Sequence, residues 1–259
     1  MAKTASKKPE KALLTYIPKR GGRARSGRIT AWQRGGGSRK LWRQVEFGQK
    51  NMGVPGTVLA IEYDPNRNAH IALVEYENKE RSYILAPHEL NVEDTVVTSE
   101  EAEVKVGNRM RLAVIPVGTV VHNVELDPER GGRIARGAGA GVTVLAHDAG
   151  YTQLQMPSSE IRKVSSKSFA SVGMVSNPEH RYQRAGKAGS TRLKGRRPKV
   201  RGTAMNPVDH PHGGGEGRTG RGMKYPKTRW GKPALGVKTR KRKWSDKLIV
   251  QRRKKKKKK

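Results

Sequence analysis

Between Gly53 and Val175 apolar and polar residues interchange in short runs. GTVLAIEYD (56–64), HIALVEYE (70–77) and ERSYILAP (80–87) alternate, are rich in β-branched and aromatic residues, and are bounded by Asp64-Pro65-Asn66 and Asn78-Lys79. A two-residue period with turn formers at the ends predicts antiparallel strands joined by hairpins. Residues 88–107 read as an acidic loop around a short apolar run at Thr95–Thr98, and RMRLAVI (109–115) as the next strand, stopped by Pro116-Val117-Gly118. About five short strands in this span predict a small closed barrel of the oligonucleotide-binding kind.

A second set follows: TVVHNVELD (119–127), GVTVLAHD (141–148), YTQLQMP (151–157), EIRKVS (160–165) and SFASVGMV (168–175). Asp148-Ala149-Gly150 and Pro157-Ser158-Ser159 supply its turns. Asn177-Pro178-Glu179 reads as a helix start, a capping Asn before Pro at the first helical position, running to Arg184. Outside these regions no stretch has the apolar content for a core of its own. The pattern divides the chain into a basic N-terminal extension (1–50), a first barrel (51–118), a second β-body with its short helix (119–185) and a Gly/Pro-rich basic C-terminal extension (186–259).

Charge sharpens that division. The 259 residues carry a formal net charge of +33 and only 34% hydrophobic residues. Residues 1–50 contribute +12, residues 51–160 contribute −7 and residues 161–259 contribute +28. An acidic centre between basic flanks is the layout of a folded body with polybasic arms, and such self-repulsion implies a polyanionic partner. Membrane is disfavoured as that partner: there is no apolar run of about 18 residues and no basic helix with an apolar face. The absence of cysteine excludes disulfides and thiolate zinc sites and fits a reducing compartment. The N-terminus has no apolar core for a secretory signal, and Glu10 with a Lys-rich start argues against a transit peptide.

Three features carry candidate chemistry. KRGGRARSGR (19–28) leads to Trp32 and Trp42, which lie among Arg28, Arg34, Arg39, Lys40 and Arg43 around Gly35-Gly36-Gly37. Cations interleaved with aromatics and glycines suit single-stranded or loop RNA, where bases stack and phosphates are paired. GGRIARGAGAG (131–141) holds Arg133 and Arg136; it lacks the Lys-Ser/Thr and the strand–helix context of a nucleotide loop, which leaves a flexible barrel loop or a loop laid on RNA. The third is RGTAMNPVDHPHGGGEGRTGR (201–221). Pro207 and Pro211 stiffen it, and Gly213, Gly214 and Gly215 leave its backbone bare. A metal cluster of His210, His212, Asp209 and Glu216 would lack cysteine and sit in a cationic field. A histidine base would lack a recognisable nucleophile. A close-contact surface explains more: glycine amides approach phosphates, and neutral His donates to phosphate or stacks on a base.

These motifs, in this order, resemble the family of universal ribosomal protein two of the large subunit, in its bacterial or organellar branch. The resemblance rests on RGTAMNPVDHPHGGGEGR (201–218), IEYDPNRNAHIALVEY (61–76), YILAP (83–87), IPVGTVVHNVE (115–125), GKAGSTRLKGRRPKVRGTAMNPVDHP (186–211), GRIT (27–30), GGG (35–37) and KLIVQRR (247–253), and covers about residues 20–253. The N-terminal arm before GRIT is short for the family and the terminal lysine run is long. The resemblance implies an all-β fold: an oligonucleotide-binding-type barrel, then an SH3-like barrel, with extensions that enter ribosomal RNA. It implies a structural, non-enzymatic constituent of the large subunit, in the ribosome of the cytoplasm rather than of an organelle. Its partners would be large-subunit ribosomal RNA, other ribosomal proteins and the small subunit across the interface, in support of transfer-RNA binding and the peptidyl transferase region. No catalytic residue, metal site or cofactor is expected, apart from magnesium brought by RNA. The expected RNA contacts are Arg28, Trp32, Gly35, Gly36, Gly37, Arg39, Arg133, Arg136, Arg196, Arg197, Arg201, Asn206, His210, His212, Gly213, Gly214, Gly215, Glu216, Arg218, Trp230, Lys238 and Arg240.

Overall fold

The structure, a computed structural model, describes residues 9–217, 219–237, 241 and 243–253. Its strands are β1 (Leu14–Thr15), β2 (Trp42–Arg43), β3 (Gly56–Tyr63), β4 (His70–Tyr76), β5 (Arg81–Leu85), β6 (Thr95–Val96), β7 (Arg109–Arg111), β8 (Val120–His122), β9 (Val124–Glu125), β10 (Gly132–Ile134), β11 (Val142–Asp148), β12 (Tyr151–Gln155), β13 (Ile161–Ser165), β14 (Phe169–Val172) and β15 (Ile249–Gln251); α1 spans Ala188–Leu193. The chain divides into two compact units. One holds the described residues up to Ile17, Lys40–Arg184, and those from Ser245 on; the other holds Pro18–Arg39 and Ala185–Trp244.

The first unit contains both barrels. A four-stranded antiparallel sheet of order β5-β4-β3-β6 forms the first. Its core is Val58, Ile61, Ala72, Val74, Tyr76, Ala86, Leu90 and Val96. The run Ile71–Val74 is buried on both faces of β4, because Ile71, Leu73 and Tyr83 form a second cluster covered by Leu13 and Val45. The flanking residues that cover it were read as part of a basic extension. They belong to the barrel: β1 pairs with β2, and the Glu10 amide donates to the Tyr83 hydroxyl at 3.0 Å, which in turn donates to Glu62 at 3.0 Å. Burial, above all, pushes the Tyr83 phenol up to about 12 and raises Glu62 as well.

The second barrel is built on a seven-stranded sheet of order β15-β13-β12-β11-β8-β14-β7, around Met110, Leu112, Ile115, Val121, Val124, Val142, Val144 and Leu154. Three expectations are corrected here. The 109–115 strand, assigned to the first barrel, is ordered as strand only to Arg111 and pairs with β14, because Leu112 and Ile115 turn into the second core. The segment around Ile249 is not all extension, since β15 pairs with the edge of β13. Asn177 does not cap a helix: it adopts left-handed φ 59°, its side-chain amide donates to the Asn68 carbonyl at 2.7 Å, and Pro178–Tyr182 forms a 3-10 turn. The expected tight turn holds, with Ala149 and Gly150 at φ 45° and 77° linking β11 to β12, the paired positive angles that suit a two-residue hairpin.

One polar network ties this unit together. The Glu125 carboxylate, fully buried, accepts Arg109 Nη2 at 3.1 Å, Gln49 Nε2 at 2.6 Å, and the amides of Glu129, Gly131 and Phe169 at 3.2, 3.1 and 3.1 Å. Arg109 also donates to the Asn123 carbonyl at 2.8 Å. Beside it, His122 Nδ1 donates to the Gly173 carbonyl at 2.9 Å, and burial with the nearby Arg109 charge outweighs that bond, taking the imidazole down to about 4.

Removing one partner of such a buried pair leaves an uncompensated charge. Glu125→Ala is expected to lose about 3–5 kcal/mol in denaturant unfolding, and Arg109→Met/Glu125→Leu is not expected to recover it, since three backbone amides still lack an acceptor. His122 gives the unit an acid limb. Its folded value lies below the unfolded value of about 6.5, so its contribution is whole above that pH and is lost as pH falls toward about 4. The full loss is about 3 kcal/mol, and the denaturation midpoint of His122→Phe is expected to vary less over this range.

Candidate RNA interface

In the first unit, an open cleft of about 410 Å³ is lined by Trp42, Phe47, Arg67, Arg136 and Gly137. The Arg67 guanidinium lies 4.6 Å from the Trp42 ring centre and 5.3 Å from that of Phe47, and Arg136 lies 4.4 Å from Phe47. Local folding sets each part. Arg67 follows the Asp64-Pro65-Asn66 turn, where buried Asp64 accepts the Asn66 amide at 2.8 Å and pairs with Arg67. Phe47 is anchored through its carbonyl, which accepts the Gly132 amide at 2.7 Å, next to the loop that carries Arg133 and Arg136. Desolvation, then the charges of Arg67 and Arg133, lower the Arg136 value. Arg136 has no carboxylate partner among the described residues. Arginines stacked on aromatic rings with excess positive charge match a phosphate backbone with unstacked bases. Of the expected contacts, Arg133 and Arg136 fall here. Arg67 and Phe47 were missed and Trp42 was noted without being selected; YDPNR reads locally as turn chemistry, and only the tertiary fold brings that Arg to aromatic rings.

The second unit holds most of the other expected residues and joins segments from both ends of the chain. Gly35 donates to the Gly195 carbonyl at 3.1 Å, Ser38 to that of Leu193 at 3.0 Å, and Arg197 to that of Gln33 at 3.0 Å. Lys19 Nζ caps the carbonyls of Gly37 and Ser38 at 3.0 and 2.5 Å. A side chain at Gly37, φ 84°, would meet the Gly195 backbone at 3.0 Å, so this glycine serves a chain-to-chain crossing. Arg229 stacks on Trp32 at 3.6 Å. Arg28, Arg39, Arg196, Arg197, Arg201, Asn206 and Trp230 are exposed. Arg218, Lys238 and Arg240 lie outside the described residues.

The His-Pro-His segment is a knot closed on itself. The His212 amide donates to His210 Nδ1 at 3.0 Å, and the Lys227 amide donates to His212 Nε2 at 3.0 Å. The rings lie 4.7 Å apart. His212 is buried, and desolvation, then the charges of His210, Arg221 and Lys227, lower its value. A neutral imidazole has one lone-pair nitrogen. In both histidines it is engaged by a backbone amide, which places the ring proton on His210 Nε2 and on His212 Nδ1. Neither ring can accept a proton as a general base without giving up a bond that closes the knot. The glycines serve the same closure: a Cβ at Gly202 would enter the His210 ring at 2.5 Å, and one at Gly213 would meet the Asn206 carbonyl at 2.3 Å. Gly213 was expected to lay bare backbone against RNA, yet the space beside its Cα is filled by the chain itself. Glu216 and Gly215 remain exposed. No group of three or more metal-binding side chains occurs among the described residues.

Comparison with known proteins agrees with this geometry. Residues 10–98 match the family model "Ribosomal Proteins L2, RNA binding N-terminal domain", and residues 105–231 match "Ribosomal Proteins L2, C-terminal domain". The chain is 54% identical over 251 residues to the "Large ribosomal subunit protein uL2" of Maricaulis maris, covering 97% of this chain and 90% of that one. It is 53% identical over 246 residues to that of Phenylobacterium zucineum, covering 95% and 88%, and 50% identical over 252 residues to that of Rhodospirillum rubrum, covering 97% and 90%. With its tandem barrels and both domain models matched in order, the chain belongs to the ribosomal protein L2 family.

Proposed function

We propose that this chain is a ribosomal RNA-binding structural constituent of the large ribosomal subunit, and that the Arg67–Arg136 cleft is a principal contact of its barrels with RNA. The observation that carries the reading is the stack of two arginines on Phe47 and Trp42, beside a third arginine, on a chain of net charge +33. The exposed cations of the second unit, Arg28, Arg39, Arg196, Arg197 and Arg201, extend the phosphate-binding surface. His210, His212 and Gly213–Gly215 act by shaping a rigid loop, and Asn206, Glu216, Trp32 and Trp230 meet RNA at its surface. The likeness of residues 201–218 to the family motif supports a place near the peptidyl transferase region, with contacts to the small subunit, other ribosomal proteins and transfer RNA, in cytoplasmic ribosomes. The chain has no catalytic turnover of its own, and magnesium enters with the RNA.

Each neutralised phosphate steepens log affinity against log salt by about 0.7–0.9. Arg136→Ala is therefore expected to weaken binding to large-subunit ribosomal RNA and to flatten that slope by about one such step. Trp42→Ala is expected to lose about 1–3 kcal/mol of stacking with the slope retained. Equal slopes for Arg136→Ala and the parent would exclude a phosphate contact there.

The histidine knot separates shape from chemistry. In His212→Gln the side-chain oxygen can stand where Nε2 accepts the Lys227 amide, whereas His212→Leu offers no acceptor. Subunits carrying His212→Gln are expected to assemble and form peptide bonds at parental rates, and those carrying His212→Leu to assemble poorly. A His212→Gln subunit that assembles fully but forms peptide bonds a hundredfold more slowly would overturn the structural role.

A further inference from the structure

A second cavity in the first unit, of about 210 Å³, is lined on one side by Ile61, Ala86 and Leu90 of the first barrel and on the other by Ser176, Asn177 and Pro178. It is much larger than the space one water requires. Its walls are mostly apolar, with His70 and His88 among them and Glu179 beside Pro178. Of the lining side chains, only that of His70 has a buried polar atom, Nδ1, without a hydrogen-bond partner. Burial lowers the His70 value. This wall is built to last: the His70 amide donates to Ser176 Oγ at 2.9 Å, and the Ser176 amide to the Ala86 carbonyl at 3.0 Å.

The Asn177–Pro178 wall is shared with the surroundings of the arginine cleft. The Asn177 amide holds the Asn68 carbonyl, one residue from Arg67. Pro178 packs so closely on Gly139 that a Cβ there would lie 2.6 Å from it, two residues from Gly137 of the cleft lining. Cavity and cleft are thus linked by direct contacts between residues next to their linings. We propose that the cavity receives one extruded base of RNA bound at the cleft: apolar walls for its faces, an unpaired imidazole nitrogen and the Glu179 carboxylate for its edge. A carboxylate accepts hydrogen bonds from exocyclic amino groups, which favours a base bearing one. The proposal rests on the RNA-binding reading of the cleft.

The test compares the full chain with Ala86→Leu and Arg136→Ala in binding large-subunit ribosomal RNA transcribed in vitro, across a salt series. Ala86→Leu fills the cavity without touching a charge. It is expected to bind about 10- to 100-fold more weakly, the stacking of one base, with the parental salt slope. Parental affinity for a folded Ala86→Leu overturns the pocket. If Arg136→Ala is weakened while Ala86→Leu is not, the pocket alone fails; if Arg136→Ala is unchanged, the cleft reading fails. A photoreactive diazirine analogue of leucine at Leu90, which keeps the apolar wall and the Glu179 carboxylate, gives an answer that does not depend on how Ala86→Leu folds. In assembled subunits an adduct on an RNA base supports the proposal. An adduct on protein alone, or none, overturns it.

Discussion

The buried Glu125 carboxylate is the constraint on which the first unit depends. A charge with no exposure is tolerable only when its lone pairs are used, and Glu125 collects donors from four separate places: Gln49 before the first barrel, Arg109 on β7, the 129–131 loop, and Phe169 on β14. Each donor fixes a segment that the hydrophobic core leaves underdetermined. Gln49 holds the strand of chain that carries Trp42 and Phe47. The Gly131 amide, with Gly132 bonded to the Phe47 carbonyl, holds the loop that carries Arg133 and Arg136. The stacked arginine cleft is thus positioned by a carboxylate that is not part of it, and its rigidity comes from an acid in a protein otherwise dominated by bases.

That dependence also explains what the sequence could convey. The strands of both barrels are legible because alternation reports burial on one face, and the turns because Asp-Pro-Asn, Asn-Lys and Asp-Ala-Gly have local chemistry. Strand 109–111 was misplaced because RMRLAVI has a periodicity but no label for its partner; pairing with β14 is a long-range choice made by Leu112 and Ile115 entering the second core. The N-terminal flank looked like an arm because it carries 14 Lys and Arg against two acids and its apolar residues show no period, yet Leu13 and Val45, with Leu59, cover the second face of β4. The run Ile71–Val74 was the available signal, since unbroken apolar sequence in a strand requires a cover on each side. Asn177 was misread because Asn serves both as a helix cap and in left-handed backbone, and only the long-range bond to Asn68 selects the latter.

The second unit shows a different economy. Its residues lack the apolar content for a core, and its order comes from backbone bonds between two segments far apart in sequence. Gly37 permits an approach that a Cβ would block, Gly35 and Gly195 supply positive φ at the crossing, and Lys19 satisfies carbonyls that the crossing leaves open. Such a unit is held by hydrogen bonds that water can replace one for one, each of modest net value. On the proposed reading, phosphate that neutralises its cations would add to the stability given by internal contacts, through the same linkage by which any ligand stabilises the state it binds.

The His-Pro-His segment unites these themes. Two imidazoles and several glycines in a basic stretch suggest chemistry when read as a list of side chains. Read as atoms, the two lone pairs are occupied and the glycines fill the closest backbone approaches. Desolvation first, and then positive neighbours, lower the His212 value, and a ring with a free lone pair is what lets Nε2 accept the Lys227 amide. The shape of the loop thus rests on burial and on cationic neighbours together, which act in the same direction on one ring nitrogen.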